Sequence, residues 1–521
     1  IHGWLSFIYC SNADPTNKPR IVLIASHADK IKDKQAGLRR ATALVEYYTE
    51  LFQESLVVSQ EVFLINCMEA RSSGIHRLRE VLAAFTEDML KQRPQVPKVC
   101  IQLSETIEDW KEERKSFPVM GWQDYLTAVR QATSYLHERI LQLASSYLHD
   151  EGEIIYLRHG TDSITDSMVV LDPQWLFTSV FGSLLAPDDF PIDKVVRTAE
   201  DYVTLEELTR VFSAVADIPL LIKLLQDFQL CHTYDGRTFI LPSLLQQEME
   251  EAAWSPVSSK AVYFGLQIRG RKEIDSFSSD LFLRLQTLLM QAHPDKLSRP
   301  LLWKNSAKCT DGKAEALLQI TQDKRQLNIF VRSTKGNRED CNSIMDLLKD
   351  MTYRLLHETS PGARSRDMVL SALDLREHRP QPHAYSREEV EEAAEAGRDV
   401  VHPKRNIPED VTDLLLNLGN LKGMLGRVAR KRPELVETLR HIHPILDRLR
   451  ADDVINMEEN DRIRAARIPQ DAVRELLDIL EAKGESACVK FHSVLTKCNE
   501  HAASLLKASP VSEEGARAKS R

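Results

Sequence analysis

The residues best placed for chemistry in this 521-residue chain are Ser26-His27-Ala28-Asp29, which close the apolar run IVLIASHAD. A carboxylate in such a turn can accept from two neighbouring N–H donors at once. Guanine presents that pair through N1–H and its exocyclic amine, and adenine does not. Asp is also a common helix cap after a strand, so the tetrapeptide alone leaves both roles open for Asp29. No Gly-x-x-x-x-Gly-Lys-Ser/Thr occurs, so no residue here is expected to cradle phosphates or set a hydroxyl on Mg²⁺. GTP or GDP with Mg²⁺ is expected only if such a loop precedes Ile1, and the opening on Ile in mid-pattern suggests a fragment. The chain itself is read as leaning away from catalysis, with no catalytic residue and no metal ligand assigned. A kinase is excluded, since neither a Gly-rich loop with its Lys nor His-Arg-Asp appears.

The elements around the tetrapeptide follow from periodicity. Leu38, Ala41, Leu44, Val45, Tyr48, Leu51 and Phe52 recur at helical spacing, EVFLIN reads as a short strand, and Ile75, Leu78, Val81, Leu82, Phe85 and Met89 form a second stripe with Ser73 as its cap. Strand, helix, strand, helix implies a parallel sheet whose carboxyl ends meet ligands. With LINCMEARSSGIHRLRE, this stretch resembles the back half of a Roc domain, the Ras-like GTPase module of Roco proteins, where Ser or Thr-His-x-Asp commonly replaces Asn-Lys-x-Asp. The resemblance implies that Ser26, His27 and Asp29 are guanine-recognition residues. It puts His27 where the Lys stem covers the ring, and residues around Asn66 to Met68 in the next base-contacting loop.

Composition narrows the class. A net charge of -9, with 28% charged and 43% hydrophobic residues, argues against a chain-wide nucleic-acid or membrane surface. Eight cysteines without a Cys-x-x-Cys pair suggest neither zinc nor disulfides, and fit a reducing cytoplasm. No run reaches the ~18 apolar residues of a membrane span.

In the middle of the chain, Gly152 breaks a helix, EIIYL and SMVVL pair as a hairpin, and Asp172-Pro173 restarts a helix. This order, ending in V-x-L-D-P-x-W-L, resembles the COR domain that follows Roc. VTLEELTRVF, DIPLLIKLLQDFQLCHTY and RTFILPSLL read as two helices and a strand pair, a winged-helix plan. Residues 217 to 230 carry Lys223 as nearly their only base-reaching cation, which argues against DNA. Residues 261 to 360 turn strand-rich and end in a helix, as in the second COR subdomain, and the resemblance implies homodimerisation there. Residues 361 to 420 mix Pro and charge and read as a surface linker, with His378 and His383 lacking further ligands for a metal. LREHRP and the acidic helix after it are similar to the region following COR in death-associated protein kinases.

Residues 421 to 510 give about six short helices with Pro433, Pro444 and Pro469 near starts and Gly484 as a stop. Their apolar set includes Leu435, Leu446, Leu449, Ile463, Leu476, Leu477, Leu480, Val489, Phe491 and Leu495. Q-D-A-x-x-L-L-D-x-L, then K-G, then F-x-x-L resembles a caspase recruitment domain (CARD). Arg427, Arg430, Lys431, Arg432 and Arg440 cluster near the first helix, and Asp447, Asp452, Asp453, Glu458, Glu459 and Asp461 near the second and third. Two such faces permit head-to-tail contacts.

The expected fold class is multidomain α/β and α+β: a truncated Ras-like parallel sheet (1–94), a COR region of winged-helix (95–260) and mixed-β (261–360) character, a linker (361–420), an all-α six-helix death-fold bundle (421–510), and a disordered tail (511–521). The expected function is a cytoplasmic signalling scaffold acting in apoptosis or innate immunity through other CARD proteins. The rival reading is a Roco GTPase whose nucleotide turnover is the primary activity.

Overall fold

The computed structural model describes residues 1–506 apart from 15, 70, 93–95, 133–136, 158–166, 183–201, 214, 216, 258–259, 397, 418–422, 440 and 467. Arg440 and the expected tail at 511–521 lie outside the described residues.

After a first helix, His2–Ser11, the expected strand breaks into two short pieces. Arg20–Ile21 pairs in parallel with Val57–Val58, and Ile24–Ala25 with Phe63–Leu64. The helices Lys34–Phe52 and Ser73–Gln92 follow the strands as the sequence order requires. Such short pairs cannot cover both stripes. Val45, Tyr48 and Phe52 are buried, whereas Leu38, Leu44, Leu82 and Met89 stay exposed. Asp33, not Asp29, caps Lys34–Phe52, accepting from the N–H groups of Gln35 and Ala36. This region packs on the later sheet through buried Asp275, which accepts from the Tyr9 hydroxyl at 3.0 Å and the Arg364 N–H at 2.9 Å.

In the next region Met168–Val170 is the middle of three antiparallel strands. Ile155–Leu157 flanks it, completing the expected hairpin, and Val119–Gly121 lies on the other side, a strand the sequence pattern did not mark. Asp172 caps Pro173–Trp175 as expected. Val203–Thr204 pairs antiparallel with Thr238–Phe239, and Thr204 and Glu207 form a reciprocal capping box at Leu205–Val211. The helix Ile218–Asp227 turns Leu221, Leu224 and Leu225 inward.

Seven strands then form one sheet in the order Leu301–Trp303, Ser306–Thr310, Glu315–Ile320, Gln326–Ser333, Val262–Gly270, Ser365–Leu370 and Ala384–Ser386. Every pairing is antiparallel, so the expected mixed sheet is corrected. Residues alternate between faces. Phe264, Ile268, Leu318 and Ile329 meet Leu285 of Leu281–Gln291 and Leu348 and Leu355 of Arg338–Thr359 on one side, while Tyr263, Leu317, Phe330 and Leu370 pack on the other.

The linker expected at 361–420 is also corrected. It supplies two strands of this sheet, the helices Ala372–Arg376, Arg387–Glu395 and Val411–Leu414, and the hairpin Val400–His402/Ile407–Glu409. Its apolar residues Val390, Ala394, Val400, Leu414 and Leu415 are buried in one core with Leu425, Val428 and Phe491 of the C-terminal bundle. Burying them outweighs the local Pro-rich, charged composition, which by itself reads as solvated chain.

Candidate protein-interaction site

The bundle begins with Met424–Arg430 and Arg432–Thr438, which meet at Lys431. Pro433 lies in the first turn of the second piece, where its missing N–H costs nothing. His443–Ala451, Met457–Arg464, Pro469–Ala482, Gly484–Cys498 and Glu500–Leu505 follow. Among the described residues the bundle shows seven helical pieces, the first two adjoining at Lys431. Leu435, Leu446, Leu449, Ile463, Leu476, Leu477, Leu480, Phe491 and Leu495 are buried. Val489 is not: it is 48% exposed, because the inward register of its helix runs through Cys488, Phe491 and Leu495.

The charged residues divide differently from expectation. Around the first helix, Arg427 is half-buried, and its Nε finds no hydrogen-bond partner among the described residues. Lys431 pairs with Glu434 at 2.8 Å, and Arg432 bridges Asp478 at 2.6 Å and Glu481 at 3.1 Å. Burial opposes the Arg432 charge, but Glu481 and Asp478 outweigh it and hold its pKa above the usual value. For Glu481 burial wins, and its carboxyl sits above the usual range despite Arg432. The expected basic face is therefore a face of mixed sign.

On the other side, Asp452, Asp453 and Glu458 are exposed, and their carboxylates have no cation partner among the described residues. Asp453 adopts φ 53° just past the end of His443–Ala451. Glu459 is committed internally: it closes a capping box with Asn456 and pairs with Lys483 at 3.0 Å. Asp447 is held by Arg464 at 2.5 Å. What remains open is an acidic patch of Asp452, Asp453, Glu458 and Asp461 on the second and third helices.

A cleft of about 860 Å³ separates the bundle from the sheet region. One wall carries Arg430, Arg432, Arg474, Asp478 and Glu481, and the other Phe264, Arg338, Glu339 and Asp413. Arg338 lies over the Phe264 ring, 5.5 Å from its centroid, and donates to the Thr412 carbonyl. The sequence reading missed this site. Glu481, three and four residues beyond Asp478 and Leu477 on an apolar stripe, was its one legible sign: a carboxylate at a core position.

A second polar cluster clamps the former linker. Glu409 accepts from the Ser371 and Tyr385 hydroxyls, each at 2.7 Å, and from the Leu373 N–H at 3.1 Å. Asp374 contacts His402 Nε2 at 3.0 Å and accepts from the His383 N–H at 2.9 Å. Burial raises the Asp374 pKa, but the His383 N–H, His402 and Arg379 outweigh it and hold the carboxyl below its usual value. Among the described residues no group of three or more His, Cys, Asp or Glu is arranged to hold a metal ion.

Ser26, His27 and Asp29 lie far from both clusters. They are exposed, in a turn where His27 adopts φ 60° and Ala28–Lys30 forms a single 3₁₀ turn. The Ala28 N–H donates to the Ile65 carbonyl at 3.1 Å, which brings this turn beside Asn66 at the carboxyl ends of neighbouring parallel strands. Asn66 accepts from the Met68 N–H at 3.1 Å.

These features define a chain that joins a C-terminal helical bundle to a region of short strands and helices. Residues 427–509 match the family model of the caspase recruitment domain, and residues 97–245 that of the C-terminal of Roc, COR-A domain. The chain thus carries a CARD and a COR-A domain, and the latter links it to the Roco proteins. It is similar to Protein TORNADO 1 of Arabidopsis thaliana, with 20% identity over 391 residues, 68% of this chain and 27% of that protein. It is also similar to Cyclic GMP-binding protein C of Dictyostelium discoideum, with 24% identity over 257 residues, 48% of this chain and 9% of that protein. The chain therefore spans about a quarter of the first relative and about a tenth of the second. No described helix is long and apolar enough to cross a membrane.

Proposed function

We propose that this chain is a cytoplasmic signalling scaffold that acts in apoptosis or innate immunity by pairing its CARD with other CARDs. The observation that carries the reading is the acidic patch of Asp452, Asp453 and Glu458, whose carboxylates have no ion-pair partner among the described residues, on a bundle matched as a CARD. Such a patch takes a partner's basic face, and like charge placed there costs several kcal/mol. The seven-stranded sheet is the proposed dimerisation region. Its terminal strand Leu301–Trp303 leaves Leu301 57% exposed, which suits edge or face contacts between copies. The LREHRP segment, with its likeness to death-associated protein kinases, fits the same signalling context.

The guanine reading of Ser26, His27 and Asp29 is retained as a second proposal, supported by the meeting of their turn with Asn66. The name of the cyclic GMP-binding relative is in keeping with a purine contact.

The test is binding of the chain to CARDs that carry basic surfaces. The double variant Asp452→Lys, Glu458→Lys is expected to weaken capture at least about tenfold, equal to ~1.4 kcal/mol, with the circular dichroism melt unchanged. Equal capture by both proteins would remove the acidic-patch mechanism.

A further inference from the structure

The cleft between bundle and sheet region is matched in charge. The sheet side offers Arg338, Glu339 and Asp413, and the bundle side Arg430, Arg432, Arg474, Asp478 and Glu481. Four arginines face four carboxylates, so the cleft has no surplus charge with which to select a free anion. The two walls differ in balance: the sheet side carries one arginine and two carboxylates, the bundle side three arginines and two carboxylates. Arg338 is the cation of the sheet wall that faces the bundle's carboxylates. It belongs to the first turn of Arg338–Thr359, stacks on Phe264 of the sheet, binds the Thr412 carbonyl, and feels the carboxylates of Glu481 and Asp478 from the bundle.

Behind the cleft the contact is apolar and continuous. Arg387–Glu395 packs on Gly484–Cys498, and Val390, Val400 and Leu415 share a core with Leu425 and Phe491. The bundle is thus seated on the body, not carried on a flexible tether. Its first and fourth helices face the cleft, and its second and third, with Asp452 and Glu458, face away.

We propose that this seating is autoinhibitory: the body occupies the face formed by the first and fourth helices of the bundle and leaves the acidic patch of the second and third helices open. This rests on the CARD-pairing reading above. A partner helix is about 10 Å across with its side chains, so on the Arg430 and Arg474 side it would compete with the Arg338 wall for the same cleft. The resting chain accepts a basic CARD but cannot extend a head-to-tail series with its own copies. Release of the bundle exposes the second face and allows the series to grow.

The test uses the full chain and two variants. Arg338→Glu reverses the charge that the sheet wall presents to Glu481 and Asp478 of the bundle. Glu339→Arg, on an exposed position of the same helix turn, repels Arg430 and Arg474 without disturbing a buried group. Both are expected to raise hydrogen exchange in 424–438 and 469–482 several-fold and to convert a non-extending chain into higher oligomers by analytical ultracentrifugation. Adding Asp452→Lys and Glu458→Lys to either variant is expected to reverse the oligomers while leaving exchange high. Unchanged exchange in Glu339→Arg with an unaltered melt overturns the docking. Raised exchange without oligomers, while basic CARDs are still captured, overturns the masking. Raised exchange with neither oligomers nor capture overturns the pairing reading itself.

Discussion

At the scale of single residues, the chain shows how burial decides which charge state survives. His383, His378 and His232 are each held below the ordinary imidazole pKa by burial first, and by the nearby His402, Arg332 and Arg299 second. Their folded forms therefore bind fewer protons than the unfolded chain around and below pH 6.5, so stability rises with pH through that window. Acidification from about pH 7.5 to about 5.5 is expected to lower the midpoint of urea unfolding, since imidazoles titrate there. Asp374, held below its usual value, adds a second loss as pH falls below 3.8. A midpoint that rises on acidification across that window would contradict the histidine sign. The clamp that contains Asp374 was not legible in the sequence. Its members, Ser371, Asp374, His383, Tyr385, His402 and Glu409, have no periodic spacing, and in a Pro-rich, charged stretch they read as solvated residues. Asp29 was legible as a choice between two roles, and the structure settles one half of it: the cap belongs to Asp33.

At the scale of elements, breaks were more readable than strands. Gly484 has φ 78° directly after the C-cap of Pro469–Ala482 and starts the next helix, as its place after Lys483 implied. An L-residue with a Cβ pays a steric penalty in that conformation, so Gly484→Ala is expected to destabilise the chain by about 1–2 kcal/mol. Chemical denaturation checks this, and a neutral result would mean the helix junction can shift register at no cost. Helix stripes and caps depend on neighbours a few residues away, which is why Asp172 and the bundle's core stripe could be read directly. Strands depend on partners far along the chain. Ser365–Leu370 pairs with Val262–Gly270 about a hundred residues upstream, and nothing local in SRDMVL distinguishes a sheet strand from an apolar piece of linker. The same logic explains Val489: in a helix flanked by the alternation of Cys488, Phe491 and Leu495, one step of register separates core from surface.

At the scale of the whole molecule, the consequential difference from the sequence reading is mechanical. A flexible linker would let dimerisation raise the local concentration of bundles and do no more. A shared core instead fixes each bundle's orientation relative to its sheet, so any dimer formed through the sheet also sets the spacing and direction of its two bundles. This rigidity has a direct consequence. With a protease site introduced at residues 418–422 and cleaved in the folded chain, the bundle should remain with the body on gel filtration. Val390, Val400, Leu414 and Leu415 on one side and Leu425, Val428 and Phe491 on the other would have to be exposed to water for the pieces to part, at ~1.5–3 kcal/mol for each large side chain uncovered. Lowering the ionic strength should tighten this retention and raising it should loosen it only in part, because the cleft pairs are screened by salt while the apolar core is not. Prompt separation of bundle from body at moderate salt would show that the apolar contact is too weak to seat the bundle. The charged walls of the cleft would then have to act on a tethered domain and not on a fixed one.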